Sequence, residues 1–147
     1  MKKLFLDDIR TIDMVYDASQ ESEFDIVRNY NDFISYIKEK GLPNFISFDN
    51  DLGLDDKGDL APDGYAAAKW LVYESGLDLS RLEFSVHSAN PVASEQIKGL
   101  LHNYQKHIRS EELLKAVEHH CEDITKLNFS KKYDGDALQH YKKTCLN

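Results

Sequence analysis

The chain has 147 residues, enough for one domain with a proper core. It is 41% hydrophobic and 30% charged with a formal net charge of −8, which suits a soluble globular protein and argues against a general nucleic-acid binder with its basic face. No apolar stretch approaches the roughly 20 residues of a membrane span, and Asp7 and Asp8 stop the apolar start before a signal-peptide core forms, so a cytoplasmic protein without membrane contact is expected.

Lys3–Leu6 is predicted as a strand buried on both faces, because Leu4 and Phe5 are adjacent apolar residues. It ends in Asp7 and Asp8, with Arg10 close behind. Arg10–Glu23 is polar; Met14, Val15 and Ala18 support at most one short helix in an irregular connection. Phe24–Arg28 reads as a second strand. Asn29 to Asp32 carry helix-start chemistry, Phe33, Ile34 and Ile37 line one helical face to about Lys40, and Gly41 closes the helix.

The central strand, 45–48, stops abruptly at Asp49, Asp51 and Gly53. Asp49 and Asp51, followed by Asp55, Asp56 and Asp59, invite a calcium-loop reading. The spacing does not fit: no glycine stands at loop position six and no glutamate at position twelve. The ordinary reading, a solvated acidic loop, is preferred. Pro62 suits the first turn of the next helix, whose stripe is Ala61, Tyr65, Ala68, Leu71 and Val72 and whose end is Gly76. Lys69 and Trp70 are set toward solvent and the sheet margin.

Leu82–Val86 is the fourth strand, ending in His87 and Ser88. Asn90 as cap and Pro91 at the first helical position start a helix that carries Ala93, Ile97, Leu100, Leu101 and Tyr104. A separate helix is expected over 110–127, with Leu113, Leu114, Val117, Ile124 and Leu127 apolar, and a short one over 134–143. Cys121 and Cys145 are the only cysteines and are expected as free thiols. There is no clear fifth strand and no internal repeat. The division expected is an α/β domain over 1–108 and a helical extension over 109–147, packed on it and a candidate homodimer surface.

Helical patterns between the later strands imply a parallel sheet, whose C-terminal edge is where ligands bind in open α/β folds. Three strand ends then surround one crevice with Asp7, Asp8, Asp49, Asp51, His87 and Ser88. Three bare carboxylates on adjacent strand ends repel one another, and a hard divalent cation relieves that, so Asp7, Asp8 and Asp49 are candidate ligands for Mg²⁺ or Mn²⁺. Acids at strand ends also cap helices, but two acidic clusters each closing a buried strand favour the metal. His87 is a candidate general acid or base, against the ordinary role of a histidine hydrogen-bonded at the core edge. Ser88, Asn90 and Arg10 are candidate phosphate contacts, assisted by the helix N-terminus; Asn90 can also be only a cap, and Arg10 only a partner of Asp7 or Asp8. His119 and His120 diverge on a helix and are not favoured as metal ligands.

These residues also carry a resemblance. Leu6-Asp7-Asp8, Phe48-Asp49, Asp63-Gly64 and Ser88-Ala89 resemble the motifs of response-regulator receiver domains. More closely, the stretches Phe5–Arg10, Ile46–Gly53, Asp63–Tyr65 and His87–Val92 resemble the cyclic-phosphate-processing receiver-like family, over about residues 3–104. The resemblance implies a three-layer, flavodoxin-like α/β fold with a parallel sheet of about four strands and a C-terminal helical extension. It implies Mg²⁺ held by the acidic pair and Asp49, and matches Asp49 to the receivers' phosphoryl acceptor. No Lys-Pro follows a fifth strand, which departs from phosphorelay receivers. Asp51 and His87 are what the cyclic-phosphate family adds, and the resemblance makes them catalytic together with Asp49.

The leading expectation is a metal-dependent phosphoesterase acting on a cyclic phosphate, either a cyclic nucleotide or an RNA 2′,3′-cyclic end. Its partner is then a small phosphorylated ligand or an RNA end, with no extended nucleic-acid surface. The alternative is a non-catalytic receiver-like module that binds a phosphorylated ligand or a partner protein. Asp49 and Asp51 also suggest a Toprim-like nuclease, but the glutamate expected at the end of the first strand is missing.

Overall fold

The computed structural model describes residues 2–126, with side chains to residue 120. Four short strands, β1 (Lys3–Leu6), β2 (Phe24–Val27), β3 (Phe45–Phe48) and β4 (Glu83–Val86), form one parallel sheet in the order β2-β1-β3-β4. Helices α1 (Tyr30–Lys40), α2 (Gly64–Tyr73) and α3 (Pro91–Lys126) follow β2, β3 and β4. The α/β architecture expected from the strand and helix patterns is therefore the one found. The chain divides into two units, Met1–Gln105 and Lys106–Asn147. Among the described residues no helix is long and apolar enough to cross a membrane.

The two central strands are the most apolar, and Leu4, Phe5, Leu6, Ile46 and Phe48 are fully buried. Leu4, Leu6, Ile46, Phe48 and Phe84 share one face, because side chains alternate along each strand and partners across the sheet point the same way. The helices cover that face. Phe33 of α1 packs on Phe48 at 6.0 Å and edge-on against Trp70 of α2 at 6.4 Å, while His102 of α3 meets Phe84 at 4.8 Å. Trp70 is thus a core residue, not a marginal one. It lies three positions from Ala67 and one from Leu71, and the small alanines beside it let α2 approach the sheet closely.

The opposite face, with Phe5, Phe24 and Phe45, is covered by Ile12, Val15 and Tyr16. Those residues belong to the connection after β1, which forms two 3-10 turns, Ile12–Met14 and Ala18–Glu23. The apolar residues of Arg10–Glu23 end at Ala18, so no full helical stripe is available to lie along the sheet.

Local chemistry sets the element ends. Asn29 caps α1 by accepting from the Asp32 amide, and Gly41 follows it at φ 85°. Helix α2 begins at Gly64, with Asp63 as its cap accepting from the Ala66 amide at 2.8 Å. Pro62 therefore stands before the cap instead of in the first turn. The break expected near residue 110 is absent: α3 continues through Gln105–Ser110, which contains neither Gly nor Pro. Leu113 and Leu114 are exposed on it. The short helix expected over 134–143, the Cys121 side chain, Leu127 and Cys145 lie outside the described residues.

Candidate functional site

The parallel ladder extends one residue past the strands. The Asp7 amide donates to the Val27 carbonyl at 3.2 Å, the Asp49 amide to Leu6 at 2.9 Å, and the His87 amide to Phe48 at 2.9 Å. Asp7, Asp49 and His87 are thereby fixed side by side at the C-terminal edge of β1, β3 and β4. One ligand atom from each lies within 4.8 Å of the others.

Asp7 is fully buried. Its Oδ1 accepts the amides of Ile9 at 2.9 Å and Arg10 at 2.8 Å, and its Oδ2 meets His87 Nε2 at 2.9 Å and Arg10 Nη1 at 3.2 Å. Burial alone raises its pKa, but the Arg10 and Ile9 amides and His87 together outweigh it and hold the carboxyl below the usual range. Both of its oxygens act as acceptors, Oδ1 from two amides and Oδ2 from the Arg10 guanidinium, as those of a carboxylate do. Arg28 at the end of β2 fixes the same turn from behind, donating to the backbone oxygens of Asp7 at 3.1 Å and Arg10 at 2.5 Å.

Asp49 behaves in the opposite way. It is 5% exposed, and its pKa is pushed up from 3.8 to about 6, first by burial and then by the charge of Asp7. The Asn50 amide and the Arg10 guanidinium, 3.5 Å from Asp49 Oδ1, offset this only in part. Asp8 is also raised, by burial and by the charges of Asp7 and Asp51. The strand ends thus hold more negative charge than Arg10 compensates.

A pocket of about 400 Å³ opens over this edge, lined by Asp8, Ile9, Arg10, Asp49, Asn50, Asp51, Ser88, Ala89 and Asn90. The candidate phosphate contacts Arg10, Ser88 and Asn90 are therefore brought together with Asp8, Asp49 and Asp51. Asn90 does cap α3, its Oδ1 accepting the Val92 and Ala93 amides at 3.1 and 3.2 Å, and Ser88 Oγ accepts the Asn90 amide at 3.1 Å. Arg10 does pair with Asp7, and it reaches Asp49 as well.

His87 is placed behind this pocket and not in its wall. Its side chain is 5% exposed, both ring nitrogens are hydrogen-bonded, and the ring lies parallel to Phe5 at 4.6 Å. Burial lowers its pKa, the Asp7 carboxylate opposes that, and Arg10 adds to the lowering.

The scan against known families gives a match to the cyclic-phosphate processing receiver domain over residues 2–103. The chain belongs to that family. No curated protein and no solved structure matches the chain.

In this cyclic-phosphate processing receiver domain the donor set suits a hard divalent ion. Carboxylate oxygens are the preferred ligands of Mg²⁺ and Mn²⁺. Burial is the first cause of the raised pKa of Asp49 and Asp8, and the neighbouring carboxylates add to it. That second contribution, from Asp7 and Asp8 on Asp49 and from Asp7 and Asp51 on Asp8, is one an added cation would relieve. Asp7 and Asp49 of the expected ligand set lie in one cluster, but its third member is His87; Asp8 lies to the side, facing the pocket and Gly53.

Two residues of the site carry little sequence signal. Arg28 reads only as the last residue of a strand pattern. Gly64 is marked in the sequence only by the Asp63-Gly64 motif, with no role of its own, yet its amide donates to the Asn50 carbonyl at 2.8 Å, and a Cβ there would meet the Asp49 backbone oxygen at 1.9 Å. Its glycine is required by the close approach of α2 to the strand end that presents Asp49.

Proposed function

We propose that the chain is a metal-dependent phosphoesterase that opens a cyclic phosphate, either a cyclic nucleotide or a 2′,3′-cyclic RNA end. The observation that supports this most is Asp49. A buried carboxyl with raised proton affinity faces the same pocket as Arg10, Ser88 and the capped start of α3. One wall of the pocket is acidic and deficient in cations, and the other offers donors for phosphate oxygens.

Asp8 and Asp49, with Asp7 behind them, would hold Mg²⁺ or Mn²⁺, which would neutralise phosphate charge and lower the pKa of water. The chain's own residues supply the rest. Arg10, the Ser88 hydroxyl and the Asn90 side-chain NH₂, whose oxygen is taken up by the cap, hold the non-bridging oxygens. Asp51, exposed on the pocket wall, takes a proton from the attacking water. The water oxygen bonds to phosphorus, one ring P–O bond breaks, and the leaving oxygen takes a proton from solvent while Asp51 returns its proton to solvent. His87 acts through Asp7, whose orientation it fixes.

The engagement of both His87 nitrogens favours a second reading, a site that binds a phosphorylated ligand without turnover. A phosphorus NMR screen separates the two. With Mg²⁺ or Mn²⁺ present, 2′,3′-cyclic, 3′,5′-cyclic and cyclic oligonucleotide substrates are incubated with the protein. An acyclic phosphate ester is expected from at least one class. Binding of these compounds without ring opening would assign the second reading.

A further inference from the structure

Ser47 is fully buried in the central strand β3, where an apolar residue would pack without needing a partner. It stands in one row with Phe5 of β1 and Ser85 of β4, on the sheet face that also carries His87. The row holds a continuous hydrogen-bonded chain. Ser85 Oγ lies 2.8 Å from the Tyr16 hydroxyl, Tyr16 lies 2.8 Å from Ser47 Oγ, and Ser47 Oγ lies 2.7 Å from His87 Nδ1. On its other side the ring meets Asp7 Oδ2 at 2.9 Å. The imidazole at the end of β4 thus meets β1 through Phe5 and Asp7 and β3 through Ser47, and the connection after β1 reaches it through Tyr16 and Ser47.

Chemistry gives this chain a direction. Asp7 Oδ2 is a carboxylate oxygen and accepts, so His87 Nε2 carries the hydrogen. Nδ1 of the neutral ring is then the acceptor, and Ser47 must donate to it. Ser47 in turn accepts from Tyr16, and Tyr16 accepts from Ser85. Every hydroxyl donates once toward the ring and every bond is satisfied. No side-chain nitrogen or oxygen buried among the described residues lacks a partner.

We propose that Ser47 and Tyr16 are positioning residues of the site, whose hydroxyls hold the His87 ring as the Nε2–H tautomer and so fix the Asp7 carboxylate that the ring faces. Phe5 completes the seat by stacking flat on the ring, with an interplanar angle of 2°. Asp7 is then held on both oxygens, one by the Ile9 and Arg10 amides and the other by His87 and Arg10, and cannot rotate. Outer partners that fix a histidine tautomer and orient a carboxylate commonly matter tenfold to a hundredfold for metal affinity or activity. The functional meaning of this chain rests on the reading of Asp7 as part of the working site; the tautomer does not.

The test is nitrogen NMR of histidine-labelled full-length protein, without substrate, with His87 assigned by its loss in His87→Gln. The expected wild-type pattern is a proton on Nε2 and a hydrogen-bonded, pyridine-type Nδ1. Ser47→Ala should move the Nδ1 signal toward that of an unbonded pyridine-type nitrogen while Nε2 keeps its proton. Tyr16→Phe, which removes one oxygen from a folded ring packing, should move it the same way by less. A proton on Nδ1 in the wild type, or an unmoved Nδ1 in both variants, overturns the assignment. If the protein opens a cyclic phosphate, Ser47→Ala should also lower kcat about tenfold with KM nearly unchanged. An unchanged kcat would overturn the positioning role. If no substrate is opened while the NMR result holds, the phosphoesterase reading fails and the ring assignment stands.

Discussion

A Cβ on residue 64 would lie 1.9 Å from the backbone oxygen of Asp49. The start of α2 therefore rests directly on the peptide that presents the central carboxylate. Gly64→Ala is expected to cost about 1–3 kcal/mol of stability, since the contact is with backbone and something must shift. It should weaken Mn²⁺ binding as well, by moving Asp49. Gly99→Ala is the control, because nothing lies within 4 Å of a Cβ there. Denaturant unfolding and calorimetry on both variants check this; equal behaviour of the two would contradict the close approach.

Asp49 makes the stability of the metal-free protein depend on pH in a definite direction. Its folded pKa is raised from 3.8 to about 6. The folded state then binds the proton more tightly than the unfolded state, so the stabilising contribution is complete below about pH 4 and is lost as pH rises through about 6. The loss is on the order of 3 kcal/mol, since a tenfold difference in proton affinity corresponds to about 1.4 kcal/mol. Asp49→Asn should remove this slope between about pH 4 and 6 and be more stable than the wild type at neutral pH. Unfolding in urea across that range measures both.

Arg10 and a divalent ion held at this site would draw on the same carboxylates. Its guanidinium lies 3.2 Å from Asp7 and 3.5 Å from Asp49. Arg10→Met should raise Mn²⁺ affinity by roughly tenfold, because the competing charge is gone. The same variant should bind phosphate esters more weakly. Calorimetric titration with the ion alone, then with ion plus a nucleoside monophosphate, separates the two effects.

Arg28 donates to two backbone oxygens of the β1–Arg10 turn. Arg28→Met should destabilise the fold by about 1–3 kcal/mol, because charged donors to carbonyls are lost and the carbonyls are left unpaired. Hydrogen exchange at the amides of Ile9 and Arg10 should accelerate with it.

Much of this is legible in the residues. β1 and β3, which end in Asp, are short runs rich in apolar residues, β4 alternates into His87, and the helices between the later strands point to the parallel sheet and the edge where the polar residues meet. What stays hidden depends on distance. The contact of Gly64 with Asp49 joins residues fifteen positions apart and leaves only a helix-start pattern. The partnership of Tyr16, Ser47, Ser85 and His87 joins segments that have no common periodicity. The pattern puts His87 at the right strand end, but its burial behind Asp7 follows from the face of β4 on which it lies. The alternation of Leu82, Phe84 and Val86 with Glu83 and Ser85 puts His87 on the Ser85 face, but nothing in that pattern shows that Tyr16 and the connection after β1 cover that face. The continuity of α3 is obscured for a simpler reason: polar residues interrupt its stripe, but none of them breaks a helix.

His87 tests how the site divides its labour. A residue acting through Asp7 should lose about tenfold to a hundredfold in turnover when replaced by Ala. A direct proton donor would lose about 10²–10⁴-fold. A loss beyond about a thousandfold in His87→Ala, with metal affinity intact, would return His87 to the reacting atoms.

The most direct measurement is ring opening of the best cyclic-phosphate substrate by the wild type and by Asp49→Asn, each with Mn²⁺ and with chelator. Metal-dependent turnover by the wild type is expected, abolished by chelator and reduced at least a hundredfold in Asp49→Asn. Turnover that survives chelation, or that Asp49→Asn retains, would contradict the account.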